Sequence, residues 1–243
     1  MRIFLAGASG AVGRPLTRLL VAAGHDVTGT TRLKDKAAAI AASGARPAVV
    51  DAFDAEGMRR AMAEARPDVV IHQMTDLPQA ARPPLGPEVL ERNARLRMVG
   101  TRNLVTAAQA AGAKRVVAQS IAFAYAPGRT PHHEADPLDA PQGKPSVNVQ
   151  GIIALEQAVF GAPGVAGVIL RYGRLYGAGT WHARPPEPPT VHAEAAAQAA
   201  LLALGGPPGI YNIADDDGAV SIVRARQQLG WSPLFRIGGR AAP

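Results

Sequence analysis

The chain contains no cysteine, which excludes disulfides and thiolate metal sites and leaves nothing that calls for an oxidising compartment. Aromatic residues make up only 5% of it, so few rings are available for stacking on nucleic-acid bases. Lysine is confined to Lys34, Lys36, Lys114 and Lys144, and the net charge of +7 comes from arginines that are scattered, not clustered. Charge alone motivates a nucleic-acid binder, and a compositional preference for Arg, Ala, Gly and Pro explains that charge equally well. No apolar run is long enough to cross a bilayer, and the N-terminus passes straight into a strand with no signal-peptide layout. These absences lead to the expectation of a cytoplasmic protein with neither membrane nor nucleic acid as partner. No metal site is expected, because His132-His133 stands in a loop without a spaced third ligand.

What is present begins at the N-terminus. Residues 2–6 form a short apolar run, Gly7-Ala8-Ser9-Gly10-Ala11-Val12-Gly13 follows, and a helical pattern starts near Ala11. A strand, a glycine-rich turn and a helix in that order aim backbone N–H groups at one point, at the positive end of a helix dipole, where a phosphate diester binds. Gly7 permits the tight turn, Gly10 lets backbone approach a pyrophosphate, and Gly13 lets helix pack on strand, with Ser9, Ala11 and Val12 completing the cradle. An ordinary βα turn can carry the same glycines, and the strand-to-helix context is what favours a dinucleotide.

The spacing predicts strands over residues 2–6, 27–30, 47–50, 69–72, 115–119, 165–170 and 210–213, and helices over 11–23, 34–43, 55–65, 88–111, 146–160, 192–204 and 220–229. The strands are short, rich in Val and Ile and apolar on both faces, as parallel strands covered on both sides are. This alternation predicts an α/β fold, a doubly wound parallel sheet with right-handed crossovers. Residues 1–170 would form a Rossmann-type dinucleotide-binding core, and 171–243 a reduced substrate-binding portion of the same unit. Ligands of such sheets bind beyond the carboxyl ends of the strands, so the tails after Ala6, Thr30, Val50, His72, Gln119 and Leu170 are expected to line the site. Two Pro- and Gly-rich loops, 126–145 and 177–189, follow strands there and read either as lids and substrate walls or as mobile linkers.

Further along stand Asn93, followed after seven residues by Thr101-Arg102-Asn103-Leu104, then Arg171-Tyr172-Gly173-Arg174-Leu175-Tyr176-Gly177 and Val191-His192. With the N-terminal glycines, these resemble the extended short-chain dehydrogenase/reductase superfamily, and within it the NAD(P)-dependent epimerase/dehydratase branch, collinearly from Met1 to about Asp216. The resemblance implies a nicotinamide cofactor and a small substrate bearing an alcohol, a ketone or a sugar ring. The reactions it implies are epimerisation, dehydration and carbonyl reduction.

Cofactor choice is read from charge. NAD-preferring folds place an acidic residue after the second strand, and NADP needs a cation there. Here Thr30-Thr31-Arg32-Leu33-Lys34 stands, with no carboxylate before Asp35. Arg32 offers a planar fork to a phosphate and Thr31 a hydroxyl, so NADP is expected over NAD, a solvated basic helix start being the alternative. The resemblance further puts Asp51 and Ala52 at the adenine, Gln73, Met74 and Thr75 along the nicotinamide ribose, and Asn93 beneath the cofactor. The plainer alternatives are a helix cap for Asp51, a role for which Asp54 is better placed, and a bond to a neighbouring loop for Asn93.

Catalysis in the superfamily uses a Ser or Thr hydroxyl, a Tyr phenol, and a Lys four residues after the Tyr whose charge lowers the phenol pKa. The matching helix reads Ser146-Val147-Asn148-Val149-Gln150-Gly151-Ile152-Ile153-Ala154-Leu155-Glu156, with Glu156 matching a glutamate that relatives carry four residues after the Lys. That leaves Asn148 at the Tyr position and Ile152 at the Lys position, and neither can transfer a proton or supply charge. Ser120, at the end of the fifth strand, and Tyr125 become the catalytic candidates, Ser120 also touching the cofactor, although counting back from Tyr125 gives Ile121 the hydroxyl position. His132 and His133 are substitute acids. Arg171, Tyr176 and His192 are expected at the substrate, Arg171 through an anionic group or else held by a local carboxylate. The expected function is an NADP(H)-dependent oxidoreductase or epimerase-like enzyme acting on a small carbonyl or sugar-derived compound with a non-standard proton donor. The alternative is an NAD(P)-binding sensor or regulatory protein that has lost catalysis. The substrate region is short for this branch. Either the pocket is small and open, or a partner subunit completes it, or a segment near residues 181–189 is missing. A homodimer through helices 88–111 and 146–160 is the expected assembly.

Overall fold

The computed structural model describes residues 1–78 and 85–239. Among the described residues nine strands follow one another: β1 (Arg2–Ala6), β2 (Asp26–Thr31), β3 (Arg46–Val49), β4 (Val69–His72), β5 (Arg115–Ile121), β6 (Ala166–Tyr172), β7 (Arg174–Tyr176), β8 (Thr190–His192) and β9 (Gly209–Ile213). Between them lie helices α1 (Gly13–Ala22), α2 (Ala37–Ala42), α3 (Ala55–Ala65), α4 (Pro87–Arg95), α5 (Thr101–Ala110), α6 (Val147–Phe160), α7 (Ala193–Leu202) and α8 (Val223–Leu229). Seven strands form one parallel sheet in the order β3-β2-β1-β4-β5-β6-β9, and β7 and β8 pair in a separate short ribbon. The doubly wound Rossmann-like fold is therefore present, with the strand order reversing at β1 and β4.

Alternation along the strands builds two apolar layers. In β1, Ile3 and Leu5 face a core that includes Leu16 and Leu20 of α1, the alanines of α7, Tyr211 and Trp231. Phe4 and Ala6 face the other layer, with Met58 and Met62 of α3, Leu104 of α5 and Leu155 and Val159 of α6. The alanine run of α7 is buried almost throughout, because small side chains let that helix lie deep against the sheet. Asp54 caps α3 by accepting the Gly57 N–H at 2.8 Å, and Ser146 caps α6 through the Val149 N–H at 3.3 Å.

Several elements differ from the sequence expectation. Helix α1 starts at Gly13, not near Ala11, because residues 11 and 12 belong to the turn. Residues 34–36 form a 3-10 turn before α2. The helix expected over 88–111 is divided by a π-helical turn, Leu96–Gly100. That turn presses Gly100 onto Ala52, where a Cβ would stand 3.1 Å from the Ala52 Cβ, while α4 lies against α6 at Ala94 and Gly151. The β7–β8 ribbon was not expected at all. The segment between these two strands includes a compact loop, held by Gly177 N–H to the His182 carbonyl (2.8 Å) and the Thr180 hydroxyl to the Gly177 carbonyl (2.9 Å). Among the described residues no helix is long and apolar enough to cross a membrane.

Candidate active site

The loop from Gly7 to Val12 lies at the carboxyl end of β1, where the strand order reverses. Gly7 adopts φ +91°, and a Cβ there would stand 2.7 Å from the Gln73 carbonyl oxygen. A Cβ on Gly13 would collide with the Gly7 carbonyl, so both positions exclude any side chain. Gly10 N–H donates to the Gly7 carbonyl (3.1 Å), Ala8 N–H to the Thr30 carbonyl (3.0 Å) and Gly7 N–H to Thr30 Oγ1 (3.2 Å). Helix α1 has neither a side-chain cap nor an acidic residue in its first turn. Its positive end is left open to an anion, and a diphosphate fits the cradle of Gly7, Ser9, Gly10, Ala11, Val12 and Gly13.

At the carboxyl end of β2, the Ser9 hydroxyl meets Thr31 Oγ1 at 3.3 Å, and Thr31 Oγ1 accepts the Leu33 N–H at 3.2 Å. Arg32 Nη2 donates to Asp76 Oδ1 at 2.9 Å, bridging the end of β1, and Arg92 Nε stands 3.8 Å from Asp76 Oδ2. The Arg32 side chain is 55% exposed and that of Asp76 13%. Asp51 Oδ1 accepts the Phe53 N–H at 2.8 Å within its own turn, and the Ala52 carbonyl accepts Asn103 Nδ2 at 2.9 Å. Beyond β4, Gln73 Nε2 donates to the Tyr172 hydroxyl (3.1 Å), whose own proton goes to the Ala196 carbonyl (3.1 Å). Gln73 Oε1 is buried and without a partner among the described residues, an acceptor available to a ligand. The Met74 carbonyl accepts Gln119 Nε2 (3.3 Å), and Thr75 is exposed. Asn93 is buried, and its Oδ1 accepts the Asp76 N–H at 2.9 Å, which is the loop-anchoring alternative of the two expected for it.

Ser120, Tyr125 and Arg171 are brought together, in a buried network that the sequence did not disclose. The Ser120 hydroxyl donates to Glu156 Oε1 at 2.8 Å. Arg171 grips the same carboxylate with Nε (2.9 Å to Oε1) and Nη2 (2.7 Å to Oε2), and Nη1 donates to the Tyr125 hydroxyl at 3.0 Å. The Tyr125 proton is given to Asn212 Oδ1 at 2.6 Å, and the His132 ring stacks on Tyr125 with centroids 5.1 Å apart. Burial raises the Tyr125 phenol pKa, against the Arg171 charge that pulls it down. Arg171 is therefore held by a local carboxylate and a tyrosine, the alternative to an anion-binding role. Among the described residues, no group of three or more His, Asp or Glu side chains is arranged to hold a metal ion.

Tyr176 and His192 stand edge to face across the β7–β8 ribbon, 5.2 Å apart. His192 Nδ1 accepts the Glu194 N–H at 3.2 Å, and Arg236 Nη2 donates to the Tyr176 hydroxyl at 3.3 Å. Burial lowers the His192 pKa, helped by Arg236, and burial raises that of Asp215 behind it. The adjoining loop reaches across to the segment that follows β4 through Trp181 Nε1, which donates to the Pro78 carbonyl at 3.2 Å, and packs Gly179 on the Arg14 guanidinium.

Residues 3–210 match the model of the NAD dependent epimerase/dehydratase family. The chain belongs to that family. Among curated proteins it is similar to a 3-diazoavenalumate denitrifying reductase of a Streptomyces species, at 46% identity over 187 residues, 76% of this chain and 59% of the relative. The chain thus spans less than two thirds of that relative's length. Two solved epimerases share the fold. UDP-glucose 4-epimerase of Thermotoga maritima, determined with UDP-glucose, gives a TM-score of 0.77 at 17% identity, covering 98% of this chain and 95% of that one. The Thermus thermophilus UDP-glucose 4-epimerase, determined with NAD, gives 0.72 at 23% identity, covering 96% and 85%.

In this epimerase/dehydratase family member, the start of α6 faces the π turn. Ile152 is fully buried in a small apolar cluster with Ala124 and Val149, and Ile121 packs against it. Asn148 Oδ1 accepts Arg97 Nη1 at 2.6 Å. Arg97 is only 7% exposed, and burial lowers its pKa to about 10. His72, at the tip of β4, is enclosed and held down to about 4 by burial first and then by the Arg97 charge. Its Nδ1 accepts the Met74 N–H (3.2 Å), which assigns the proton to Nε2 and so makes Nε2 the donor to Thr101 Oγ1 (2.9 Å). The sequence signal for Arg97 was a lone cation inside the apolar run Leu96-Arg97-Met98-Val99, while Asp76 and Asn212 left none.

Proposed function

We propose that this epimerase/dehydratase family member is an NADP(H)-dependent reductase that passes hydride to a small electrophile without the tyrosine–lysine proton relay of its superfamily. The observation that carries the reading is the cradle: glycines that exclude side chains, set against an uncapped helix end with no acidic residue. A nicotinamide dinucleotide bound there supplies the hydride. Gly7 to Gly13 hold the diphosphate, Thr31 and Arg32 take the additional phosphate, and Gln73 Oε1 offers a buried acceptor. Asn148 and Ile152 support a reaction that asks no acid of the protein, as does a Tyr125 proton already committed to Asn212. The diazo compound in the relative's name is such an acceptor. Hydride adds to the terminal nitrogen of a diazonium cation to give a diazene; loss of its N–H proton to water expels dinitrogen as the carbon–nitrogen bond breaks, and the carbon, left with that bond's electron pair, takes a proton from water, so no net proton is asked of the protein. Small carbonyl compounds are the second candidates.

The buried commitments of Ser120 and Tyr125 also favour a second reading, a dinucleotide sensor without turnover. Loss of NADPH absorbance against an aryl diazonium salt and a panel of carbonyls separates the two. Steady oxidation supports the reductase. Saturable NADPH binding without oxidation of any acceptor returns the sensor, and failure to bind either NADPH or NADH at millimolar concentration overturns both. A cytoplasmic homodimer completes the proposal, supported by the exposed Met98, Val147 and Phe160 along the helices expected to pair.

A further inference from the structure

Among the described residues two arginines are buried, Arg97 and Arg171. Glu156 matches Arg171 in a two-pronged ion pair. Arg97 has no carboxylate within ion-pair distance among the described residues, and residues 79–84 and 240–243 contain no aspartate or glutamate that could supply one. A buried guanidinium without a counter-charge is strongly unfavourable, so a site that keeps one is matched to an anion from outside the chain.

The surroundings say which kind. A guanidinium only donates, so the Asn148 oxygen must face Arg97, and its Nδ2 group is left with two N–H donors. His72 adds no acceptor, since Met74 and Thr101 occupy both its ring nitrogens. Arg97 and Asn148 thus present donors only, a forked guanidinium beside an amide, which suits the two oxygens of a carboxylate. Their place is the π turn and the opening of α6, beside the tip of β4, and π turns within helices recur at functional sites. The cofactor's diphosphate is served elsewhere, by α1, which belongs to the opposite apolar layer from Leu96 and Leu155.

We infer that Arg97 and Asn148 form the anion subsite of the reductase and hold a carboxylate of the substrate. The inference rests on the proposed function only in placing reduction beside these residues, and its test uses binding so that the two can fail separately. The full chain, saturated with NADP, is titrated calorimetrically with 4-hydroxycinnamate and with the corresponding amide. The acid is expected to bind roughly 10- to 100-fold tighter than the amide. Arg97→Met should remove that preference while keeping NADP affinity, and should raise the melting temperature, because an unmatched charge leaves the interior. Asn148→Asp supplies an internal carboxylate and should abolish acid binding in a protein that remains folded. Equal binding of acid and amide by the unaltered protein, or an acid preference that survives Arg97→Met, overturns the inference and leaves the reductase reading standing. If NADP does not bind, the reductase reading falls, and the same acid-to-amide comparison on the cofactor-free protein decides the subsite alone.

Discussion

Replacing Arg32 with alanine tests the cofactor assignment quantitatively. In the structure Arg32 is held by Asp76 at 2.9 Å, but its side chain is 55% exposed, so water and salt screen that pair. Exposed ion pairs of this kind contribute ~0–1 kcal/mol. A charge-assisted fork on a phosphate contributes about 1.5–3 kcal/mol. A bound NADP phosphate would therefore take the guanidinium from Asp76 with a net gain of about 1–2 kcal/mol, or roughly 5- to 30-fold in affinity. Arg32→Ala should weaken NADPH by that factor and leave NADH within about twofold. Asp76→Asn removes the competitor and should tighten NADPH severalfold, provided that its backbone N–H still reaches Asn93. Fluorescence titration with both cofactors, repeated at raised salt, measures this, and the NADPH advantage should shrink as salt rises. Equal losses for NADPH and NADH in Arg32→Ala, or weaker NADPH binding in Asp76→Asn, would refute the reasoning.

Two further outcomes are expected. Glu156→Gln strands the buried Arg171 charge and should destabilise the fold by about 3–5 kcal/mol in urea unfolding, with much of the loss recovered when Arg171→Met is added; a small loss would show that the pair is not desolvated. His72 is held to about 4 by burial against 6.5 in the unfolded chain, so the unfolded state takes the proton first as pH falls. Stability should be full above the unfolded value and decline by about 3 kcal/mol on acidification to the folded value. His72→Asn, which keeps an acceptor for the Met74 N–H, should flatten that decline between pH 7 and pH 4.5, and an unchanged slope would show that His72 is not its source.

The legible parts of this protein were those where one residue type is dictated locally. The cradle could be read because Gly7 and Gly13 have no room for a Cβ, and the sheet because short Val- and Ile-rich runs, apolar on both faces and alternating with helical patterns, mark parallel strands. The π turn escaped because apolar residues continue through Leu96, Met98 and Val99, so the pattern over residues 88–111 looks like one unbroken helix. The β7–β8 ribbon escaped because three-residue strands carry no period. Arg171 had two readings until Glu156, on another element, chose between them. Tyr125 and Asn212 lie 87 positions apart, and Asp76 reaches Arg32 across 44, so neither contact leaves a mark in its own neighbourhood. What the resemblance supplied was the frame, and Asn148 needed the third dimension before it acquired a partner in Arg97.

The widened turn at Leu96–Gly100 makes the placing of Arg97 depend on a count as well as on a composition. An ordinary helix advances by about 100° per residue, so deleting one position there would heal the turn and swing the preceding stretch round by that angle. An apolar neighbour would then occupy the spot where a cation now stands, with every other letter of the sequence unchanged. Length variation at this point is thus a route by which closely similar chains exchange a buried cation for a greasy side chain without a single substitution.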